Sequence, residues 1–279
     1  MNHLKQTLRA ASSSSISWKP TEKLQQTISS EISKSGKTLH SGDTSTVRLL
    51  PALAGEGRYF VFNGREIPAS IDFTKESPLC TTLSRNGVRV RTVEHLLSAL
   101  EALNVDNCRI EVTGADEVPL LDGSAKELVE AVDKSGLSVC KDNNGNTKEK
   151  LAPFVNEPVH VWRNDSFIAA FPSPRSFLPG RNGLIKGGSA ENAIVCCSSE
   201  GWLNPPLRFN EPCQHKVLDL VGDLSVLLEN GNQGFPVAHI VAYKGGHSYT
   251  QNLFAVLLGK SLEEDSLLLT PKMDVSTRC

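Results

Sequence analysis

The ten residues 141 to 150, KDNNGNTKEK, hold no apolar side chain and fall at the middle of a 279-residue chain. A hydrophobic core cannot be threaded through such a stretch, so residues 141–151 read as a linker and each flanking half must bury its own apolar surface. The halves are large enough, because 39% of the residues are hydrophobic and a domain of ~100 residues can bury a working core. The expected division is a first domain over 22–140, a second over 152–260, and a tail over 261–279 with no assigned role.

In the first half, STVRLLPA (45–52), RYFVFNG (58–64) and NCRIEV (107–112) are short β-rich runs bounded by Gly, Pro, Asn and Asp, and antiparallel strands are expected. Two helices are expected beside them. In RTVEHLLSALEAL (91–103), Val93, Leu96, Leu97, Leu100 and Leu103 recur at helical spacing behind Thr92 as N-cap. In SAKELVEAVDKSG, Ser124 and Glu127 have the spacing of a capping box and Gly136 closes the helix. The second half repeats the theme with strands PVHVWRN, SFIAAFP, NAIVCC and VAHIVAYK and a helix from about Glu211 to Leu228. Strands and helices in runs, without strict alternation, give the class α+β.

Composition removes several functions. With 29 basic and 31 acidic residues the net charge is -2, which offers no footprint for a nucleic-acid backbone. No apolar run reaches the ~18 residues of a membrane helix. Seven cysteines form no CxxC pair, as expected of free, mostly packed thiols in a reducing interior. The opening MNHLKQTLRAASSSSISWKP has three basic residues, five serines and no acid before Glu22, so residues 1–21 have the composition of an organellar transit peptide.

Ionisable groups stand out in three places. Glu94 and His95 sit together where the first helix turns apolar. His215 and Asp219 are four apart on the long helix, so both side chains leave one face about a turn from each other, as a divalent metal requires. Taken alone, such a pair is more often a helix cap or a surface hydrogen bond. A third donor would complete a three-ligand zinc shell with one open position, and His95 is the natural candidate. Lys216 and Asp223 lie on the same helix, Asp223 inside the apolar run VGDLSVLL where a buried carboxylate needs a partner. His247 follows a Gly-Gly turn at a helix start. SGKTLHSG with His40, ESPLCTTLS, and VPLLDGSAKELV with Asp122 each read singly as a turn or a cap.

Together LHSG, TVEHLLSALEALNVDN, VPLLDGSA, HKVLDLVGDL and GGHS, in this order, resemble the UDP-3-O-acyl-N-acetylglucosamine deacetylases, zinc amidases of the lipid A pathway, over roughly residues 22 to 258. The resemblance implies two similar two-layer α/β sandwich domains with the metal at their junction, zinc on His95, His215 and Asp219, and Glu94 as general base. It further implies His247 as the protonated group that steadies the oxyanion and protonates the departing amine, Asp223 as the carboxylate that keeps it charged, and Lys216 assisting at the substrate. The implied reaction removes the N-acetyl group of UDP-3-O-(3-hydroxyacyl)-N-acetylglucosamine, giving acetate and a free amine. A soluble mitochondrial monomer is expected.

The chain departs from that family between SFIAAFP and GLIKGGSAENAIV, where members carry further strands, an insert lining the acyl passage and a threonine donor to the oxyanion. Here only the Pro- and Gly-rich residues 172 to 183 stand in that place, so a truncated second domain is expected. An oxyanion donor alone is typically worth ~3 kcal/mol of barrier. Three readings stay open: a deacetylase with reduced or rebuilt activity, a catalytically impaired paralogue that binds zinc or UDP-sugar without turnover, and an incomplete gene product whose shortened sheet exposes an edge.

Overall fold

The computed structural model describes residues 16–75, 77, 79–155, 162–163, 166–167, 196–197, 201–202, 211–228, 230–238, 240, 242, 246–247, 250 and 253. The strands are β1 (Ile16–Leu24), β2 (Gln26–Ile28), β3 (Ile32–Lys37), β4 (Thr44–Pro51), β5 (Arg58–Phe62), β6 (Arg65–Pro68), β7 (Thr74–Lys75), β8 (Thr82–Arg85), β9 (Val88–Arg91), β10 (Cys108–Gly114), β11 (Leu137–Val139) and β12 (Glu149–Val155). The helices are α1 (Glu94–Ala102), α2 (Lys126–Ser135) and α3 (Glu211–Leu224). The class is α+β, as expected.

Period-two alternation builds the central sheet, whose spatial order is β3-β4-β10-β5-β6. In β4 Ser45, Val47 and Leu49 are buried, and in β10 Cys108, Ile110 and Val112. On the opposite face Arg48 and Glu111, paired in register, form an ion pair of 2.8 Å. Leu96, Leu97 and Leu100 of α1 and Leu128 and Val132 of α2 join Val47, Leu49, Phe60, Ile67 and Ile110 in one core. Each such fully buried side chain contributes about 1.5–3 kcal/mol of transfer free energy. α3 joins the same core through Leu224, with Leu218 and Leu220 packed against its edge.

Several local expectations are corrected. β10 runs antiparallel to β4 but parallel to β5, a choice that alternation of side chains cannot encode. Thr92 is not a helix cap: its φ is +56°, its hydroxyl donates to Glu117 Oε1 at 3.1 Å, and Val93 precedes α1. Ser124 does not form a capping box with Glu127; its hydroxyl accepts from the Lys126 amide at 3.0 Å, while Gly136 closes α2 with φ +73° as expected. The 141–150 stretch is a tight turn followed by a strand. Asp142 Oδ1 accepts the amides of Asn144 and Asn146 at 2.8 and 2.9 Å, and β12 begins at Glu149. β12 pairs antiparallel with β1, from Ile16↔Val155 to Leu24↔Glu149, so residues 16–21 are part of a ladder.

In the second half Trp162–Arg163 pairs with Ser166–Phe167 and Cys196–Cys197 with Gly201–Trp202, both antiparallel. The expected long helix is α3, continued by a 3-10 turn over Ser225–Leu227. Residues 172–183, the tail 261–279 and most of the expected second sandwich lie outside the described residues. Among the described residues Cys80, Cys108 and Cys140 are free and buried, and no helix is long and apolar enough to cross a membrane.

Candidate metal centre

The site is assembled where α1 begins, because a tight hairpin delivers it there. Asn86 and Gly87 both adopt left-handed backbone, with φ of +51° and +78°, in the two-residue turn joining β8 to β9. β9 ends at Arg91 and α1 starts at Glu94, so Glu94 and His95 occupy the first turn of the helix. α3 crosses α1 at this turn. The crossing is so close at Gly222 that an added Cβ would overlap the backbone of Glu94. Three residues back along α3, about one turn, Asp219 therefore meets His95.

His95, His215 and Asp219 bring one ligand atom each within 4.8 Å of one another. Asp219 Oδ1 stands 3.3 Å from His95 Nε2 and 3.5 Å from His215 Nε2. The two imidazoles meet edge to face at 5.0 Å between centroids. Asp219 Oδ2 accepts from Lys216 Nζ at 2.8 Å, leaving Oδ1 to face the histidines. Burial alone would push the Asp219 carboxyl up, but His95, His215 and Lys216 outweigh it and hold the group far below the usual carboxylate range. Burial lowers His215, favouring the neutral ring that a metal needs. Burial acts the same way on His95, but the Asp219 hydrogen bond and Glu94 raise it overall. Two nitrogens and one carboxylate oxygen, converging and partly buried, are a donor set that fits zinc with one position open.

Beside this group lies a second cluster. Glu94 is 3% exposed and its Oε2 accepts from the Thr81 amide at 2.9 Å. Burial raises its carboxyl above the ordinary range, with His247 and His95 opposing. Residues 247, 250 and 253 are helical, and the Thr250 amide bonds the Gly246 carbonyl at 3.3 Å. His247 Nδ1 lies 2.9 and 3.0 Å from the two oxygens of Asp223. Burial of the ring opposes its charge, but Asp223, by charge and hydrogen bond, more than offsets this and raises His247 to about 10. Thus Asp223, expected to need a partner, has one.

Thr81 had no assigned role in the sequence beyond its place in ESPLCTTLS. Its hydroxyl donates to Asp223 Oδ1 and lies 3.3 Å from His247 Nδ1. A threonine in a loop has no periodicity to reveal it. Two other flagged residues stay outside the cluster: the His40 amide donates to Glu117 Oε1 at 2.9 Å, and Asp122 accepts from the amide and hydroxyl of Ser124, each at 3.0 Å, in a local turn.

Against known proteins, the family model described as LpxC, UDP-3-O-acyl N-acetylglycosamine deacetylase, matches residues 25–179 and 180–259. The sequence is 46% identical over 296 residues to probable UDP-3-O-acyl-N-acetylglucosamine deacetylase 1, mitochondrial, of Arabidopsis thaliana, covering 88% of this chain and 91% of the relative. It is 41% identical over 275 residues to UDP-3-O-acyl-N-acetylglucosamine deacetylase of Trichormus variabilis, covering 80% of this chain and 94% of the relative. The plant alignment is longer than the whole 279-residue chain, so the relative carries positions for which this chain has none. The two family segments meet inside the Pro- and Gly-rich stretch.

Proposed function

The chain belongs to the UDP-3-O-acyl N-acetylglycosamine deacetylase family, and on that premise we propose that it is a zinc-dependent amidase that hydrolyses the N-acetyl group of a UDP-3-O-(3-hydroxyacyl)-N-acetylglucosamine. The observation that carries this reading is the convergence of His95, His215 and Asp219 beside two proton-handling groups of opposite character. Those three residues would hold zinc, and the metal supplies a Lewis acid that polarises the amide carbonyl and lowers the cost of forming hydroxide near neutral pH.

Glu94 takes the proton as water adds to the acetyl carbon; its raised carboxyl is a better base near neutral pH than an ordinary one. His247, held protonated by Asp223, faces the developing oxyanion with positive charge and gives its proton to the amine as the C–N bond breaks. Acetate and the free amine leave, and the proton held by Glu94 returns the pair to its starting state. Lys216 fixes the outer oxygen of Asp219, and its cationic charge on α3 suits an anionic diphosphate substrate. The proposed form is a monomer. The Arabidopsis relative is named mitochondrial, and the acid-free composition of the residues ahead of β1 fits a presequence for that compartment, while residues 16–21 belong to the ladder with β12. We keep a first domain over 22–140 and a shortened second over 152–260 as the proposed organisation.

The missing positions favour a second reading, a paralogue that holds zinc and UDP-sugar without turnover. One preparation separates the two: full-length protein is analysed for bound metal and assayed for acetate release, with Glu94→Ala and chelator-treated protein as controls. Stoichiometric zinc and release that both controls abolish establish the deacetylase. Zinc without release establishes the second reading, and absence of zinc refutes the three-ligand site.

A further inference from the structure

Glu94 enters the site from α1, Asp223 from α3 and His247 from a third helical segment. Among the described residues Thr81 is hydrogen-bonded to all three. Its amide donates to Glu94 Oε2 at 2.9 Å, its hydroxyl donates to Asp223 Oδ1, and the same oxygen stands 3.3 Å from His247 Nδ1. Its carbonyl accepts from the Val93 amide at 3.4 Å, one residue ahead of α1. It is 2% exposed and sits just before β8, whose first residue, Thr82, is paired with both Lys75 and Arg91. This loop end is thus pinned on two sides.

We propose that Thr81 is the positioning residue that sets the general base and the acid pair against one another; the proposal rests on the deacetylase reading. A hydroxyl has one proton and two lone pairs. With the proton given to Asp223, a lone pair is left to face the N–H of His247. Asp223 Oδ1 then receives both Thr81 and the ring, and its carboxylate plane is fixed from two directions. With Nδ1 occupied, Nε2 is the nitrogen through which His247 acts on substrate. The γ-methyl restricts χ1, so the hydroxyl has little freedom to leave Asp223. The amide of the same residue fixes Glu94, so the separation between the group that takes a proton and the group that gives one is set within a single residue. Placement at this level is worth much in rate, since misplacing reacting groups by ~1 Å can cost a hundredfold. None of the hydrogen bonds given to Thr81 goes to His95, His215 or Asp219, which separates its role from metal binding.

The test compares Thr81→Val, which keeps the amide and the shape but removes the hydroxyl, with Thr81→Ser, which restores it. In the zinc-loaded enzyme Thr81→Val is expected to lose about ten- to a hundredfold in kcat, the loss associated with one hydrogen bond to a charged group. KM and zinc stoichiometry should be unchanged, and Thr81→Ser should recover most of the rate. The second readout needs neither metal nor turnover: the His247 Nδ1 proton resonance in metal-free protein should shift or broaden in Thr81→Val and remain in Thr81→Ser. A wild-type kcat in Thr81→Val, equal loss in both variants, or an unchanged resonance would overturn the proposal. If the wild-type chain releases no acetate, the deacetylase reading fails while the resonance still decides the role of Thr81. Should Thr81→Val not fold, Thr81→Ala is read by the same criteria.

Discussion

Replacing Gly222 by alanine probes the geometry that creates the metal site without touching a ligand. The new Cβ would stand 2.6 Å from the carbonyl carbon of Glu94 and 2.9 Å from its Cα. Both are backbone atoms, so no side-chain rotation relieves the overlap. Carbon atoms prefer ~3.5–4.0 Å, which requires α3 to retreat from α1 by about 1 Å. Metal-ligand distances tolerate only ~0.2 Å, and His95 on α1 and Asp219 on α3 cannot both follow such a shift. Alanine also favours a helix over glycine by up to about 1 kcal/mol, while overpacking costs about 1–3 kcal/mol. Destabilisation wins, by on the order of 1 kcal/mol. Zinc affinity, measured by competition with a chromophoric chelator, should fall at least about tenfold, the scale seen when a ligand's support is disturbed. Urea unfolding measures the stability change. A variant that binds zinc as tightly as wild type would refute the argument that this crossing sets the site.

Three further outcomes follow from the same geometry. Asp223→Asn removes the main group that holds His247 charged, so its pKa, followed by NMR titration, should fall well below about 10, with burial then opposed only by the charges of Glu94 and Asp219. The sign follows for stability: a raised histidine stabilises the fold fully below 6.5 and loses that contribution as pH rises towards 10, and the variant should show a smaller pH dependence over this window. His95→Ala should no longer retain stoichiometric zinc by elemental analysis, while far-UV circular dichroism stays that of wild type. Glu101→Ala leaves Arg58, paired with it at 2.8 Å and 1% exposed, as a buried charge, and should cost about 3–5 kcal/mol in urea unfolding.

Periodicity made the apolar face of α1 legible, because Leu96, Leu97 and Leu100 recur every third or fourth residue and all are buried. The four-residue spacing of His215 and Asp219 was legible for the same reason, and the structure brings His95, the expected third donor, to them from another helix. Pairing direction was not legible: β10 alternates equally well beside an antiparallel β4 and a parallel β5. The Asn-rich turn hid the start of β12, since a polar breaker ending in Lys and Glu looks alike whether a linker or a strand follows. Gly222 within a helix suggests only weakness until its neighbour is known. Thr81 acts through one amide and one hydroxyl, groups that leave no pattern in a sequence.

The ladder between β1 and β12 bears on the order of events when the chain folds. Its two strands lie far apart in sequence, the hydrogen-bonded Thr21 and Lys150 being 129 residues apart, so its closure carries the entropy of a long loop and gains nothing from local propensity. During synthesis β1 leaves the ribosome long before its partner exists, and it must wait as an unpaired edge while the central sheet assembles. A protein carried through a membrane in extended form, N-terminus first, would meet the same delay on the far side. β1 is thereby among the last elements to be secured, and the interval before β12 arrives is when a chaperone or a protease has its opportunity.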